Sequence, residues 1–199
     1  LVIFVSDHGD MLGDHDLMVK GAFFYDAGVR VPLILRWPAE IPGGSVTDTI
    51  VQPHQIAQTV LAAAGIQEPS HEDGTLFGAV RQHDASAVPN GTAVCLYRNA
   101  GIGEQGDYWD PPLHATMLRQ GNYKLTVYHE DPGHGELYDL RSDPEELHNL
   151  WDEPDQMTRR IELTEALLAW FHAHELEQCG SRGGAARPTA AQKIRNRGK

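Results

Sequence analysis

The 199-residue sequence is short of cysteine and of positive charge and has no long apolar run, and each shortage removes a class of protein. Its two cysteines, Cys95 and Cys179, lie far apart and give no disulfide framework. Lysine and arginine number 16 against 28 aspartates and glutamates, for a formal net charge of −12. Nucleic acid and anionic membranes are held mainly by positive surface, so neither is expected as a partner. The apolar runs fall far short of the roughly 20 residues that cross a bilayer, so no membrane span is expected. No secretory leader is legible, and the sequence assigns no localisation.

What is present suits a globular chain with a core, at 41% hydrophobic and 22% charged residues. The first thirty residues are the most informative. Leu1-Val2-Ile3-Phe4-Val5 has no polar member and reads as a strand buried on both faces, as in a parallel sheet. It stops at Ser6-Asp7-His8-Gly9, and Lys20 follows inside Val19-Lys20-Gly21-Ala22-Phe23-Phe24-Tyr25. In α/β sheets the carboxyl ends of strands are where ligands bind. Asp7 offers a hard oxygen and His8 an imidazole nitrogen, both usable by a divalent cation, and Gly9 lets the chain turn. Taken alone, the tripeptide also reads as a strand-to-loop turn in which Asp7 bonds nearby backbone. Two donors do not complete a site. A cation takes at least about four to six, so the rest must come from elsewhere in the fold or from outside the chain.

A longer pattern surrounds this pair. Ser6-Asp7-His8-Gly9-Asp10-Met11-Leu12-Gly13-Asp14-His15, Lys20-Gly21, Val29-Arg30-Val31-Pro32-Leu33-Ile34 and Arg36-Trp37-Pro38 together resemble the central segment of the sulfatase family in the alkaline-phosphatase-like superfamily. Leu118 to Leu125 and Glu136 to Leu150 resemble that family's carboxyl-terminal subdomain. The resemblance implies that Asp7 and His8 are ligands of a divalent metal, usually calcium. It implies that Lys20 contacts the sulfate as a catalytic and substrate-binding group, and that His15, on the same loop, is a substrate contact. Asp10 and Asp14 are candidates to orient the ligands. The family's nucleophile is a formylglycine made from a cysteine in a Cys-x-(Pro/Ser/Ala)-x-Arg signature. Cys95 is followed by Leu96-Tyr97-Arg98-Asn99 and Cys179 by Gly180-Ser181-Arg182-Gly183, so neither fits.

The expected function is therefore metal-dependent hydrolysis of a small-molecule or carbohydrate sulfate ester. The chain is expected to be the carboxyl-terminal part of such an enzyme. Its partner is the amino-terminal half, which carries the formylglycine, and the chain alone is expected to be inactive. A phosphonate or phosphate ester hydrolase of the same superfamily and a noncatalytic interaction module are the alternatives.

The expected fold class is α/β: part of a large catalytic domain over residues 1–75, a small α+β subdomain over 76–179, and a disordered tail over 180–199. Val31 to Trp37 reads as a buried strand, and His54 to Gly65 as one amphipathic helix with Ile56, Val60, Leu61 and Ala64 on its apolar stripe. Residues 68–90 read as a linker, and Asn90-Gly91-Thr92 matches a glycosylation acceptor. Thr92–Arg98, His114–Arg119, Tyr123–Tyr128 and Glu136–Leu140 read as a four-stranded antiparallel sheet, with Gln120-Gly121-Asn122 as a hairpin turn. A helix from Asp155 to about Gln178 is expected to cover it, presenting Ile161, Leu163, Ala166, Leu167, Trp170, Phe171 and His174 on one broad face. Arg141 to Glu146, acidic as it is, fits no calcium loop and reads as a structural turn. Tyr108 and Trp109 lie in a glycine-rich segment at a possible pocket rim, and read first as an ordinary surface loop.

Overall fold

The computed structural model describes residues 1–66, 75–77, 91–98 and 113–180, with side chains described as far as His174. Most of the 68–90 linker, Asn90 of the glycosylation tripeptide, the Tyr108-Trp109 segment, the Cys179 side chain and the tail lie outside the described residues. The chain divides into two compact units, Leu1–Arg160 and Ile161–Lys199.

In the first unit, β1 (Val2–Val5) pairs with β2 (Leu33–Arg36), Val2 opposite Arg36 and Val5 opposite Leu33. The pairing is antiparallel, which corrects the parallel reading, and Phe4 and Ile34 are each 60% exposed. An apolar run without alternation says that both faces suit apolar neighbours; it does not set the direction of the partner strand. Pro32 stands just before β2, where its lack of an N–H costs no ladder bond. Between the two strands lie a 3-10 turn (Asp14–Asp16) and one turn of α-helix, α1 (Asp26–Val29).

Helix α2 (Gln55–Ala63) begins after Pro53 and ends at Gly65, whose φ of 73° lies in the left-handed region that glycine occupies freely. Gly65 N–H donates to Ala62 O and Ile66 N–H to Leu61 O, which satisfies carbonyls left open by the last turn. The residue that this helix buries is Thr59, not the expected apolar stripe: Val60 is 48% exposed. The Thr59 hydroxyl donates to Gln55 O at 2.7 Å and accepts the Leu76 N–H at 2.9 Å, so its polarity is spent and its burial costs little.

The four expected strands form one antiparallel sheet in sequence order: β3 (Thr92–Arg98), β4 (His114–Gln120), β5 (Tyr123–Tyr128) and β6 (Gly135–Asp139). The β4–β5 turn is Gly121-Asn122, with Gly121 at φ 57° and Gln120 opposite Tyr123. Strand alternation sorts the side chains onto two faces. By register, Cys95, Tyr97, Ala115, Met117, Arg119, Lys124, Thr126, Tyr128, Glu136 and Tyr138 share one of them. Phe24 and Val29 cover that face by packing on Ala115, Met117, Cys95, Tyr97 and Tyr128. The other face buries Val94, Leu118, Leu125 and Leu137. The polar face of the small sheet is thus roofed by the segment that follows Lys20.

Beyond β6, Asp143 Oδ1 accepts the Leu147 N–H and its Oδ2 the His148 N–H, at 3.1 and 2.8 Å. Asn149 bridges Gly135 O, Leu137 N–H and Trp151 N–H, each at 3.0 Å. The acidic run is the structural turn that its Asp-Pro pair suggested.

Helix α3 (Met157–Gly180) follows a short 3-10 turn at Pro154–Gln156 and carries into the second unit. Leu163 and Leu167 are buried, one turn apart on the same face. Ile161 was expected beside them but is 51% exposed, because two positions along a helix are about 200° apart around its axis. Trp170 meets Phe171 edge-on at 5.3 Å and stacks on His174 at 3.9 Å. The Trp170 and Phe171 rings are half-buried and lie outside the buried core, so the core-residue expectation is met only in part.

Candidate functional site

Strand β1 delivers Ser6, Asp7, His8 and Gly9 at its carboxyl end. Ser6 Oγ donates to the His8 carbonyl at 2.8 Å, and Asp7 Oδ1 accepts the His8 N–H at 3.0 Å. That N–H is the first cause holding the Asp7 carboxyl below its ordinary value, so Asp7 is ionised at neutral pH. His8 Nδ1 lies 2.8 Å from the Gly9 carbonyl. A carbonyl only accepts, so Nδ1 carries a proton, and the Lys20 ammonium 2.6 Å from Nε2 only donates, so Nε2 presents its lone pair to it.

That lone pair is where three predicted residues meet. Asp7 Oδ2 lies 3.4 Å from His8 Nε2, and Lys20 Nζ lies 2.6 Å from the same nitrogen. Two donors at right angles around an ion, each at about 2.4 Å, stand about 3.4 Å apart, so Asp7 and His8 fit adjacent positions on one hard cation. They are two donors only. Among the described residues, no three histidines, cysteines, aspartates or glutamates converge to hold a metal.

The loop that brings Lys20 back is tightly wound. Leu12 N–H donates to Met18 O at 3.2 Å and Gly13 N–H to Leu17 O at 2.8 Å, and Asp10 Oδ1 accepts the Lys20 N–H at 2.6 Å. Asp10 therefore ties down the backbone at Lys20. Leu12, Gly13, His15 and Asp16 all have positive φ, three of them without glycine's freedom, and such strain collects at functional sites. Asp14 opens the short 3-10 turn in this loop. His15 is placed elsewhere than the Asp7-His8-Lys20 group. Its ring stacks flat on Tyr25 at 3.7 Å, with 11° between the planes.

Behind the turn, Gly9 N–H donates to Gly28 O of α1 at 2.9 Å. The approach is so close that a Cβ on Gly9 would overlap the Ala27 carbonyl oxygen. Met11, 1% exposed, lies over Gly28.

Sequence reasoning missed the group that holds α1 itself. Lys124 is 2% exposed and donates hydrogen bonds to Phe24 O at 3.0 Å and to Asp26 Oδ1, while its ammonium pairs with the Glu146 carboxylate at 2.6 Å as an ion pair without hydrogen-bond geometry. Glu146, itself buried, accepts the Asp26 N–H on its other oxygen at 2.6 Å. Arg119 and Arg30 stand 3.7 and 3.8 Å from the Asp26 carboxylate. One signal was available: a lysine alternating with Met117, Thr126 and Ala115 on the face of a sheet core has to find anions. A second polar pair lies on the same face, where Tyr128 OH donates to Glu136 Oε1 at 2.6 Å and burial pushes the Glu136 carboxyl up.

Several of the remaining histidines have local partners. His114 meets Glu130, His129 meets Thr116, His134 meets Asp131, His148 meets Asp143, and His174 meets the Trp170 carbonyl. Cys95 is half-buried and its thiol is pushed up by burial, the environment of an inert structural cysteine.

Among the described residues no helix is long and apolar enough to cross a membrane. The family described as N-sulphoglucosamine sulphohydrolase, C-terminal, matches residues 13–172. An N-acetylglucosamine-6-O-sulfatase of Bacteroides thetaiotaomicron is 26% identical over 172 residues, which cover 84% of this chain and 29% of that protein. A solved structure in complex with D-glucosamine-2-N,6-O-disulfate has a TM-score of 0.69 at 25% identity, covering 84% of this chain and 33% of that one. The phosphonate monoester hydrolase of Agrobacterium radiobacter gives the same TM-score at 28% identity, covering 87% of this chain and 35% of that one. The chain thus spans about a third of the length of each of these relatives. By the extent of the family match and the sulfatases it resembles, the chain belongs to the sulfatase family of the alkaline-phosphatase-like fold, within its N-sulphoglucosamine sulphohydrolase C-terminal group.

Proposed function

We propose that this chain supplies the cation-binding and sulfate-facing part of the active site of a sulfuric ester hydrolase, with Asp7 and His8 as metal ligands and Lys20 as the group that meets the sulfate. The observation that carries the reading is the convergence on one imidazole nitrogen: His8 Nε2 has the Asp7 carboxylate at 3.4 Å and the Lys20 ammonium at 2.6 Å. A negative oxygen, a neutral nitrogen and a positive charge brought together suit a substrate that is an anion and a cofactor that is a cation. The substrate class is a sulfate ester of a sugar or another small molecule. Support for the sugar comes from the relative named for N-acetylglucosamine-6-O-sulfate and the related structure that holds a sulfated glucosamine.

In this reading the bound divalent cation, calcium by the family's habit, supplies Lewis-acid stabilisation of the sulfate oxygens. The rest is the work of the chain. The Asp7 carboxylate is kept ionised by the His8 N–H and stays a ligand at neutral pH. The His8 Nδ1 proton is committed to the Gly9 carbonyl, and the Nε2 lone pair, which accepts the Lys20 ammonium at 2.6 Å, would serve a cation once Lys20 turns to the sulfate. Lys20, tied at its backbone by Asp10, brings an ammonium to the sulfate oxygens, where it balances charge as the ester bond breaks. His15, stacked on Tyr25, is the proposed substrate contact at the edge of the loop. Since neither Cys95 nor Cys179 stands in the required signature, the formylglycine nucleophile is proposed to come from residues outside these 199, and the chain alone to be inactive.

The test is metal content of the enzyme that carries this chain. Asp7→Asn is expected to lose bound calcium while remaining folded; unchanged stoichiometry removes Asp7 from the ligand set. The likeness to a phosphonate monoester hydrolase favours one second reading, a phosphoryl substrate on the same residues. Turnover of a sulfate ester against a matched phosphonate ester separates them, and faster phosphonate cleavage would assign the second.

A further inference from the structure

Within the site reading just given, we propose that Lys124, Asp26 and Glu146 act as a positioning clamp: the small antiparallel sheet holds α1, and α1 sets the Asp7-His8-Gly9 turn. Each link is a direct contact. Lys124, on β5, grips Phe24 O and the Asp26 carboxylate, and Glu146 grips the Asp26 backbone N–H at 2.6 Å. Both therefore close on the first residue of α1. At the other end of that single turn, Gly28 O takes the Gly9 N–H at 2.9 Å, and the Ala27 carbonyl lies against Gly9 closely enough to exclude any side chain there. A shift of α1 therefore moves the residue next to His8.

Two further observations set this cluster apart from ordinary fold cement. A buried ion pair is seldom more stabilising than apolar residues of the same volume, so its merit is the geometry it imposes. Lys124 is held from three sides, by hydrogen bonds to Phe24 O and Asp26 Oδ1 and by the ion pair with Glu146 at 2.6 Å. Glu146 also sits at φ 58°, in the left-handed region, where a glycine would be unstrained. Backbone strain is being held so that a carboxylate, rather than a small residue, reaches the start of α1.

The experiment uses the enzyme that carries this chain and the double variant Lys124→Met with Glu146→Gln, which removes one charge of each sign and keeps volume. Asp26 then keeps Arg119 and Arg30 beside it, so the core is left without an orphaned charge. Three readouts are taken: amide hydrogen exchange at Gly9, exchange at Leu118 and Leu125 in the sheet, and calcium affinity. The clamp predicts exchange at Gly9 at least about tenfold faster with the two sheet amides unchanged, and calcium affinity lower by about 10- to 100-fold. Wild-type exchange at Gly9 in the variant overturns the clamp. Exchange that rises equally at all three amides also overturns it, since the cluster would then be general stability. The site reading fails separately. If Asp7→Asn leaves calcium affinity unchanged while the double variant still frees Gly9, the clamp stands as a device that sets the turn, and the metal assignment falls.

Discussion

Lys124 and Glu146 face each other across the buried side of the small sheet at 2.6 Å, both side chains 2% exposed, with the Asp26 carboxylate on the same ammonium. The charges are affordable only as a set. Removing one member leaves the others desolvated and unpaired, at a cost of about 3–5 kcal/mol. Lys124→Met and Glu146→Ala are each expected to lose stability of that order in urea unfolding, while the paired variant described above loses much less. Equal losses in single and double variants would mean that the residues act independently.

Gly9 is the tightest point near the candidate ligands. A Cβ there would overlap the Ala27 carbonyl, and backbone is the obstacle, so no side chain can swing away. Gly9→Ala is expected to break the Gly9–Gly28 hydrogen bond and reduce calcium binding, with the β3–β6 sheet still formed. Calcium affinity and far-ultraviolet circular dichroism check the two halves of that statement.

Glu136 gives a pH dependence with a definite sign. Burial raises its carboxyl above the ordinary 4.5, against the lesser, opposing pull of the Tyr128 hydroxyl. An acid whose pKa is raised by folding binds more protons folded than unfolded. Its stabilising contribution is therefore present below the unfolded value and is lost as pH rises through the folded one. Glu136→Gln keeps the acceptor for Tyr128 and removes the titration. The stability difference, wild type minus variant, is expected to fall as pH rises from about 4 toward neutrality. A flat difference across urea melts at successive pH values would show that Glu136 titrates normally.

The small sheet was legible because its strands alternate and because Gly121 marks a turn that needs positive φ. That Asp7, His8 and Lys20 come together was legible because their pattern is local, a strand end and one loop; their roles belong to the proposal. The direction of β1 against β2 was not, since an unbroken apolar run fits either pairing. Nor was the Lys124–Asp26–Glu146 cluster. Its members come from a strand, a one-turn helix and an acidic turn, and only the register of β4, β5 and β6 puts the lysine inside. Ile161 failed because it lies off the Leu163–Leu167 stripe, and Thr59 was missed because a stripe says which residues could be buried while the neighbours decide which are.

The central claim is that Lys20 meets the sulfate beside the Asp7-His8 ligand pair, and the most direct measurement is kcat/KM for a sulfate ester with Lys20→Ala in the enzyme that carries this chain. Loss of a positioned charge that steadies the transition state predicts a fall of about 100- to 1,000-fold with calcium still bound. Turnover within a few-fold of wild type would contradict it.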